Sequence, residues 1–403
     1  MSPTEISRTA SVRLSNAGAH AAFVPIGIVT VLLGPLLPML SARWSLNYLQ
    51  AGSLFTAQFL GSTLGVVVSG VLVSRLGFRF AINAGLLAMA VGVGTLPFGS
   101  RSLGLISIFC YGGGFGLAIP AINLYVAAAN PERRSAVLSR LNFSWSVGAV
   151  ACPFLVAASA KLNAVPLGLG LLAGFLLLVL LWIAATPSCF AEPAALSPAP
   201  LTSPKDQPSN PSLGAWSRRS LAVLSALFFL YVGTETAFGG WIASDASSLG
   251  TLSPALSAMT PSFFYAALMV GRWIAPLVLS RVDEIKTARA GLSLACLGMA
   301  GLVLARTVPL LVISVSVAGL GLAAVYPITI SRLSREFGPA ASEAGSIAFA
   351  MSNLGGASLP WIVGYSSQLF NNLRAGLAVP LATTLLMYSL YRWNSGSSRA
   401  PTA

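Results

Sequence analysis

Twelve apolar segments, each about as long as a membrane crossing, constrain the fold of this chain more than any other feature. They lie near residues 19–40, 50–73, 80–98, 103–128, 136–158 and 164–186, and near 220–244, 257–280, 288–305, 308–331, 342–369 and 374–392. A helix needs roughly 20 apolar residues to cross the hydrocarbon layer, and there it must satisfy its own backbone hydrogen bonds. The sequence therefore predicts an all-α membrane protein with twelve transmembrane helices.

The composition excludes a soluble globular protein. Hydrophobic residues make up 55% of the 403 residues and charged residues only 8%, whereas soluble proteins carry roughly 25% charged residues. The net charge of +13 does not predict nucleic-acid binding, because the basic residues form no single patch and lie at alternate helix ends.

The distribution of the 23 basic residues predicts the topology. With the N-terminus inside the cell, seventeen fall at cytoplasmic ends, and five fall at external ends, namely Arg43, Arg101, Lys161, Arg306 and Arg374. Cytoplasmic loops carry the excess of Lys and Arg, so both termini are predicted to be cytoplasmic. Lys is rare beside Arg, three against twenty, which suggests a bacterial source and hence the cytoplasmic (inner) membrane.

An internal repeat divides the chain near its middle. Pro120, Gly148 and Pro153 recur 207 residues later as Pro327, Gly355 and Pro360. The repeat predicts two pseudo-symmetric six-helix bundles, residues 1–186 and 218–403. Residues 187–217 contain seven prolines among Ser and Ala and are predicted to be a disordered cytoplasmic linker. Duplicated bundles of this kind are typical of secondary transporters, which bind the solute between the repeats.

The loop after the second apolar segment carries a family signature. Residues 70–79 read GVLVSRLGFR, which resembles the signature loop Gly-x-Leu-x-Asp-Arg-x-Gly-x-Arg/Lys of the major facilitator superfamily. The resemblance implies the major facilitator fold, with a cytoplasmic gating loop formed by Gly70, Ser74, Arg75, Gly77 and Arg79. Ser74 stands where the family usually has the aspartate that helps to latch the two halves.

Shorter motifs resemble the fucose and glucose permease-like branch of that family. They are the runs NLYV at 123–126, RLNF at 140–143, YVGTE at 231–235 and GGWI at 239–242. The resemblance implies a sugar transporter. The acidic residues that fucose carriers place in their first and fourth spans are missing here, so proton coupling through those positions is not implied.

Glu235 is the acidic residue that lies well inside a predicted span. An ionisable side chain within the membrane is costly and is therefore a functional candidate. Glu235 could exchange a proton as access alternates, or help to hold a cation. It could instead form a fixed ion pair or a hydrogen-bonded anchor between helices, and the sequence leaves these interpretations open.

Arg272 is the basic residue within a span. Helix rise places it roughly 13 Å from its cytoplasmic end and Glu235 roughly 22 Å from its own, so a pair between them needs long side chains that reach toward each other. The alternative is that Arg272 binds backbone carbonyls or a cytoplasmic acid such as Asp283, and we favour this alternative.

Uncharged side chains supply the remaining candidates for solute binding. They are Gln58, Asn123, Asn142, Trp145, Trp241, Tyr326 and Asn353. Amides both donate and accept hydrogen bonds, which suits a hydroxyl-rich ligand, and an indole ring packs well on the apolar face of a sugar. The alternative role for the amides is hydrogen bonding between helices.

These features predict a secondary active transporter that moves a small polar solute, expected to be a sugar, by alternating access. A proton or sodium ion would be coupled through Glu235 and Arg272, as in a symporter. Two alternatives remain, namely a multidrug or metabolite exporter and a non-transporting receptor or scaffold. An enzyme is not expected, because the chain has one histidine and no carboxylate pair within the membrane for acid–base chemistry. We expect no cofactor, no metal and no nucleic-acid partner, and a monomer surrounded by lipid.

Overall fold

The computed structural model describes residues 3–130, 134–190, 215–337 and 341–397. The first half contains α1 (Pro3–Val31), α2 (Leu33–Arg43), α3 (Tyr48–Thr95), α4 (Arg101–Ala129), α5 (Arg134–Lys161) and α6 (Val165–Ala185). The second half contains α7 (Ala215–Ser248), α8 (Pro254–Met259), α9 (Pro261–Leu279), α10 (Glu284–Leu304), α11 (Val308–Leu322), α12 (Val325–Phe337), α13 (Ala341–Leu369) and α14 (Leu373–Ser397). The described residues form helices and no strands, so the all-α prediction is confirmed.

Helix α3 accounts for two predicted spans. Its 48 residues would extend roughly 72 Å, more than twice the roughly 30 Å of the hydrocarbon layer. The chain changes direction at Gly77, whose φ of 82° and ψ of 168° are not helical and are readily adopted only by glycine. Eleven helices among the described residues are apolar and long enough to span a membrane. Counting α3 twice gives the twelve predicted crossings.

Three predicted spans are each built from two consecutive helices. The breaks fall between α1 and α2, between α8 and α9, and between α11 and α12. Pro35 and Pro327 follow their breaks by three or four residues, and Pro261 directly follows the break at Thr260. A proline has no N–H to donate to the carbonyl four residues earlier, so it interrupts the helix there.

Contacts divide the chain into two compact units. The first contains Met1–Thr30, Leu60–Gly148 and Pro166–Gly214, and the second contains Val31–Phe59, Ala149–Val165 and Ala215–Ala403. The predicted linker at 187–217 lies outside the described residues from 191 to 214, and α7 begins at Ala215. The division into bundles of residues 1–186 and 218–403 stays a prediction.

The repeat seen in the sequence recurs in helix packing inside each unit. In the first unit, a Cβ added to Gly92 of α3 would lie 2.5 Å from the Ser107 carbonyl oxygen of α4. In the second unit, a Cβ on Gly298 of α10 would lie 2.6 Å from the Ser314 carbonyl oxygen of α11. The two glycines are related by an offset of 206 and the two serines by 207, so both units build the same close helix contact.

A second pair of equivalent glycines brings other helices together. Gly148 of α5 packs against the backbone of α1 at Val24, and Gly355 of α13 packs against the backbone of α7 at Phe229. A side chain at either glycine would overlap a carbonyl oxygen. These contacts explain why glycine occurs at both positions, 207 residues apart.

Candidate functional site

Within the second unit, the ends of α2, α3 and α5 that the charge pattern places outside the cell pack on helices of the second half. Glycines make this approach close. A Cβ on Gly34 of α2 would lie 3.1 Å from the Gly239 carbonyl oxygen of α7, and one on Gly52 of α3 would lie 3.0 Å from the Pro360 carbonyl oxygen of α13. A Cβ on Gly364 of α13 would lie 3.2 Å from the Gly52 Cα of α3. We call this set of contacts, centred on Gly34, Gly52 and Gly364, the external seal.

Hydrogen bonds reinforce the external seal along its length. The Thr56 hydroxyl on α3 donates to the Ala357 carbonyl oxygen on α13 at 2.8 Å. The Ser262 hydroxyl on α9 donates to the Val150 carbonyl oxygen on α5 at 3.1 Å. Helices α3 and α5 of the first half are therefore held to α9 and α13 of the second half.

Trp241 lies inside the external seal. Its side chain is 1% exposed, and its indole N–H donates to the Pro360 carbonyl oxygen at 3.2 Å. The indole packs beside the rings of Tyr48 and Phe55, with centroids 6.3 and 6.5 Å away. In this arrangement Trp241 serves the seal, and its predicted contact with a solute stays a prediction.

Glu235 and Arg272 meet in the interior of the second unit. Arg272 Nη2 lies 3.5 Å from Glu235 Oε1, and the two side chains are 23% and 15% exposed. The Tyr231 hydroxyl, on the same helix as Glu235, lies 3.5 Å from Arg272 Nη2. Both distances are at the outer limit of hydrogen bonding, so these two contacts of Arg272 are long ones.

The favoured alternative, that Arg272 binds backbone carbonyls or a cytoplasmic acid such as Asp283, is wrong in the part that names Asp283, because Arg272 pairs with Glu235. Asp283 precedes α10, and its carboxylate accepts hydrogen bonds from the backbone N–H groups of Ile285 and Lys286 at 2.9 and 3.2 Å. It therefore caps the N-terminus of α10. The two long side chains of Arg272 and Glu235 bridge the difference in depth that helix rise predicts.

Aromatic rings line one side of this charged pair. The ring of Tyr326 on α12 lies 5.3 Å from that of Tyr231 and 5.6 Å from that of Phe228. The ring centroid of Phe349 on α13 lies 5.7 Å from that of Phe228. Asn353 is half-buried and lies four residues after Phe349, hence on the same helix face. The structure thus places the predicted residues Tyr326 and Asn353 beside the pair and along the neighbouring face.

Sequence reasoning did not identify Tyr231 as a partner of the pair. The signal was present, because residues 231 and 235 are four apart and so lie on one face of a helix. A tyrosine one turn from a membrane carboxylate is placed to share its hydrogen bonds.

The predicted residues of the first half lie in different surroundings. Asn123 on α4 is half-buried. Asn142 on α5 is exposed, and its amide donates to the Leu138 carbonyl oxygen of its own helix at 2.9 Å. The Trp145 indole N–H donates to the Thr30 hydroxyl of α1 at 2.9 Å, so Trp145 also joins two helices.

Gln58 completes the predicted set. It lies on α3 in the second unit and is 1% exposed. The second unit therefore holds Gln58, Glu235, Trp241, Arg272, Tyr326 and Asn353, and the first unit holds Asn123, Asn142 and Trp145.

The predicted gating loop surrounds the bend at Gly77. Gly70 and Arg75 are exposed. The Ser74 hydroxyl donates to the Val71 carbonyl oxygen at 3.0 Å, which is a bond within the helix. The Arg79 guanidinium donates to the Ala184 carbonyl oxygen, where a positive charge is favourable because the C-terminus of α6 is the negative end of its dipole. The loop is thus tied to α6 through Arg79.

Comparisons with known proteins agree with this architecture. The family model of the Major Facilitator Superfamily matches residues 20–360. The sodium-dependent glucose transporter 1A of Mus musculus is 22% identical, over 92% of this chain and 94% of its own length. The glucose/galactose transporter of Brucella abortus is 26% identical, over 84% of each chain. The crystal structure of the transporter FucP in the outward conformation has a TM-score of 0.65 and 20% identity, over 95% of this chain and 99% of FucP.

Proposed function

The chain belongs to the major facilitator superfamily, and from this membership we propose that it carries a monosaccharide of the glucose type by alternating access. It is an integral membrane transporter and not an enzyme. The predicted resemblance to the fucose and glucose permease-like branch is confirmed by the relatives, two of which are named as glucose transporters.

The observation that carries the proposal is the group formed by Glu235, Arg272, Tyr231 and Tyr326. A carboxylate accepts hydrogen bonds from sugar hydroxyls, and a guanidinium donates to their oxygens. The Tyr326 ring offers an apolar face on which the sugar ring can pack. These three kinds of contact converge on one place inside a helical membrane protein.

The same group provides a route for ion coupling. The contact between Arg272 and Glu235 is 3.5 Å long, which is loose for a charge-assisted bond. We propose that solute hydroxyls compete for Arg272 and that Glu235 then accepts a proton or helps to hold a sodium ion. The remaining predicted side chains are proposed to contact the solute at other stages of the cycle. They are Gln58, Asn123, Asn142, Trp145, Trp241 and Asn353.

The proposed topology places both termini in the cytoplasm of a bacterial cell, with the protein as a monomer in the inner membrane. The external seal then lies on the side that faces out, and the gating loop around Gly77 lies on the cytoplasmic side. In this proposed topology, the close helix contacts at Gly34, Gly52 and Gly364 close the external side.

Uptake into proteoliposomes tests the proposal. Labelled glucose or galactose should enter vesicles that contain the purified protein, and an imposed proton or sodium gradient should increase the uptake. Glu235→Gln should abolish the gradient-driven part while solute exchange survives. Glu284→Gln is the matched control, because Glu284 pairs with Arg335, away from this group. Unchanged gradient-driven uptake in Glu235→Gln would remove Glu235 from the coupling role.

Two further results would point to the alternatives. Thermal stabilisation of the purified protein by hydrophobic cations, but not by sugars, would favour an exporter. A vesicle membrane that no sugar or cation crosses would favour a receptor or scaffold.

A further inference from the structure

A second carboxylate is buried in the membrane-spanning part of the second unit. Asp245 lies in the last turn of α7 and its residue is 0% exposed. Both carboxylate oxygens are buried and have no hydrogen-bond partner in the described part of the chain. None of the ion pairs between described residues includes Asp245.

Asp245 lies on the face of α7 that forms the external seal. Trp241 is four residues earlier on the same helix and so lies on the same face, and its indole is covered by Tyr48 and Phe55 of α3. Opening of the seal would withdraw α3 from this face and admit water to it. Helix α2 also packs on α7 and on α8, so a seal that opens by moving α2 and α3 away from α7 would expose Asp245 to water.

Arg374 at the start of α14 is the charged side chain that acts electrostatically on the Asp245 carboxyl. Its guanidinium is engaged elsewhere, because Nη2 donates to the Ala305 carbonyl oxygen at 2.5 Å. The other titratable groups at this end of the elements packed on α7 are Arg43 on α2, Tyr48 on α3, Tyr265 on α9 and Tyr365 on α13, and α8 carries none. Asp245 is thus near a cation but not paired with it.

We propose that Asp245 is a proton-binding site that is occupied when the external seal is closed and emptied to the external water when the seal opens. An ionised carboxylate without partners is strongly unfavourable in an apolar interior, and such a group becomes neutral instead. One proton from water adds to a carboxylate oxygen on closing and returns to water on opening, with no other bond changed. In the open arrangement, water and the charge of Arg374 stabilise the ionised form.

The sign of the pH dependence follows from this linkage. The closed arrangement binds one more proton than the open one, so acidic pH favours the closed seal and alkaline pH favours the open seal. A single linked proton changes the ratio of the two populations by at most about tenfold per pH unit. The inference rests on the alternating access of the proposed function, but not on the identity of the solute.

Distance measurements between spin labels test the proposal without any solute. Ala42→Cys at the end of α2 and Ser247→Cys at the end of α7 are both exposed positions, and the four native cysteines are replaced by alanine. In the full chain in lipid nanodiscs, the population with a long distance between the labels should rise as the pH is raised. Asp245→Asn should keep the short distance across the whole pH range.

A second variant keeps the test decisive if Asp245→Asn does not fold. Arg374→Gln removes the cation that favours the ionised carboxylate, so the transition should move to higher pH. An unshifted transition in Arg374→Gln, or a pH response in Asp245→Asn equal to that of the parent, overturns the proposal. So does a parent protein whose label distance does not respond to pH.

The test also separates this site from the proposed coupling group. Glu235→Gln should keep the pH response of the label distance, and its loss in Glu235→Gln but not in Asp245→Asn would assign the proton to Glu235 instead. Failure of sugar uptake in proteoliposomes would refute the proposed function and leave the result on Asp245 unaffected.

Discussion

Replacing Gly364 with alanine should open the external seal. Gly364 lies on α13 against the first turns of α3, where an added Cβ would be 3.2 Å from the Tyr48 carbonyl carbon and from the Gly52 Cα. It would come closer still to the Tyr48 carbonyl oxygen. Ordinary carbon contacts are about 3.5–4.0 Å, and backbone atoms cannot rotate away as a side chain can. Helices α3 and α13 must therefore move apart.

The cost of this overlap falls on the closed arrangement alone. Inserting one methyl group into a well-packed contact costs about 1–3 kcal/mol, which corresponds to a change of about 5- to 150-fold in an equilibrium. The gain in helix stability from glycine to alanine, about 0.5–1 kcal/mol, applies to both arrangements and cancels. We therefore expect the population with an open seal to grow by that factor, and the rate of solute uptake to fall.

The labelled pair at residues 42 and 247 measures the shift directly. Gly174→Ala on α6 is the matched control, because no other atom lies within 4 Å of a Cβ at that position. The long-distance population should grow in Gly364→Ala and remain at the parent level in Gly174→Ala. If Gly364→Ala gave the same distance distribution and uptake as Gly174→Ala, the glycines would not control closure and the reasoning would fail.

Other substitutions test separate parts of the structure. Asn142→Ala should weaken sugar binding with normal expression, since its amide bonds only its own helix in the described contacts; equal affinity by calorimetry would argue against solute contact. Gly77→Ala forces a side chain into a φ of 82° and should lower stability by about 1–3 kcal/mol, seen as a lower Tm, and an unchanged Tm would contradict this. Gly355→Ala should also lower the Tm, because its Cβ meets the Phe229 carbonyl, and a Tm equal to that of Gly174→Ala would count against that contact. Glu284→Gln breaks a largely exposed pair worth about 0.2–1 kcal/mol, so a large loss of uptake would refute its assignment as a surface pair.

The sequence by itself determined the class of fold and the approximate position of each membrane crossing. In hydrocarbon a chain of this composition can satisfy its backbone only within helices, and so the apolar segments and the helices coincide. The bend at Gly77 and the helix breaks near Pro35, Pro261 and Pro327 have local causes in the sequence, but the apolar segments did not predict them. The glycines repeated at 148 and 355 occur at equivalent helix contacts, because two helices that approach this closely leave no room for a side chain.

Only the tertiary structure decided which side chains meet. Arg272 faces Glu235 and not Asp283 because the rotation of α7 and α9 about their own axes sets which side chains meet. Helix rise along the sequence gives the depth of a residue in the membrane but not the direction in which its side chain points. Asp245 lies just beyond the predicted span 220–244, yet it is fully buried because helices pack around that end of α7. The structure places Trp241 within the seal, which the sequence did not predict, and its contact with the solute stays a prediction. The physical reason is that burial and pairing in a carrier depend on which helix ends are closed against each other, and a linear pattern of residues does not contain that information.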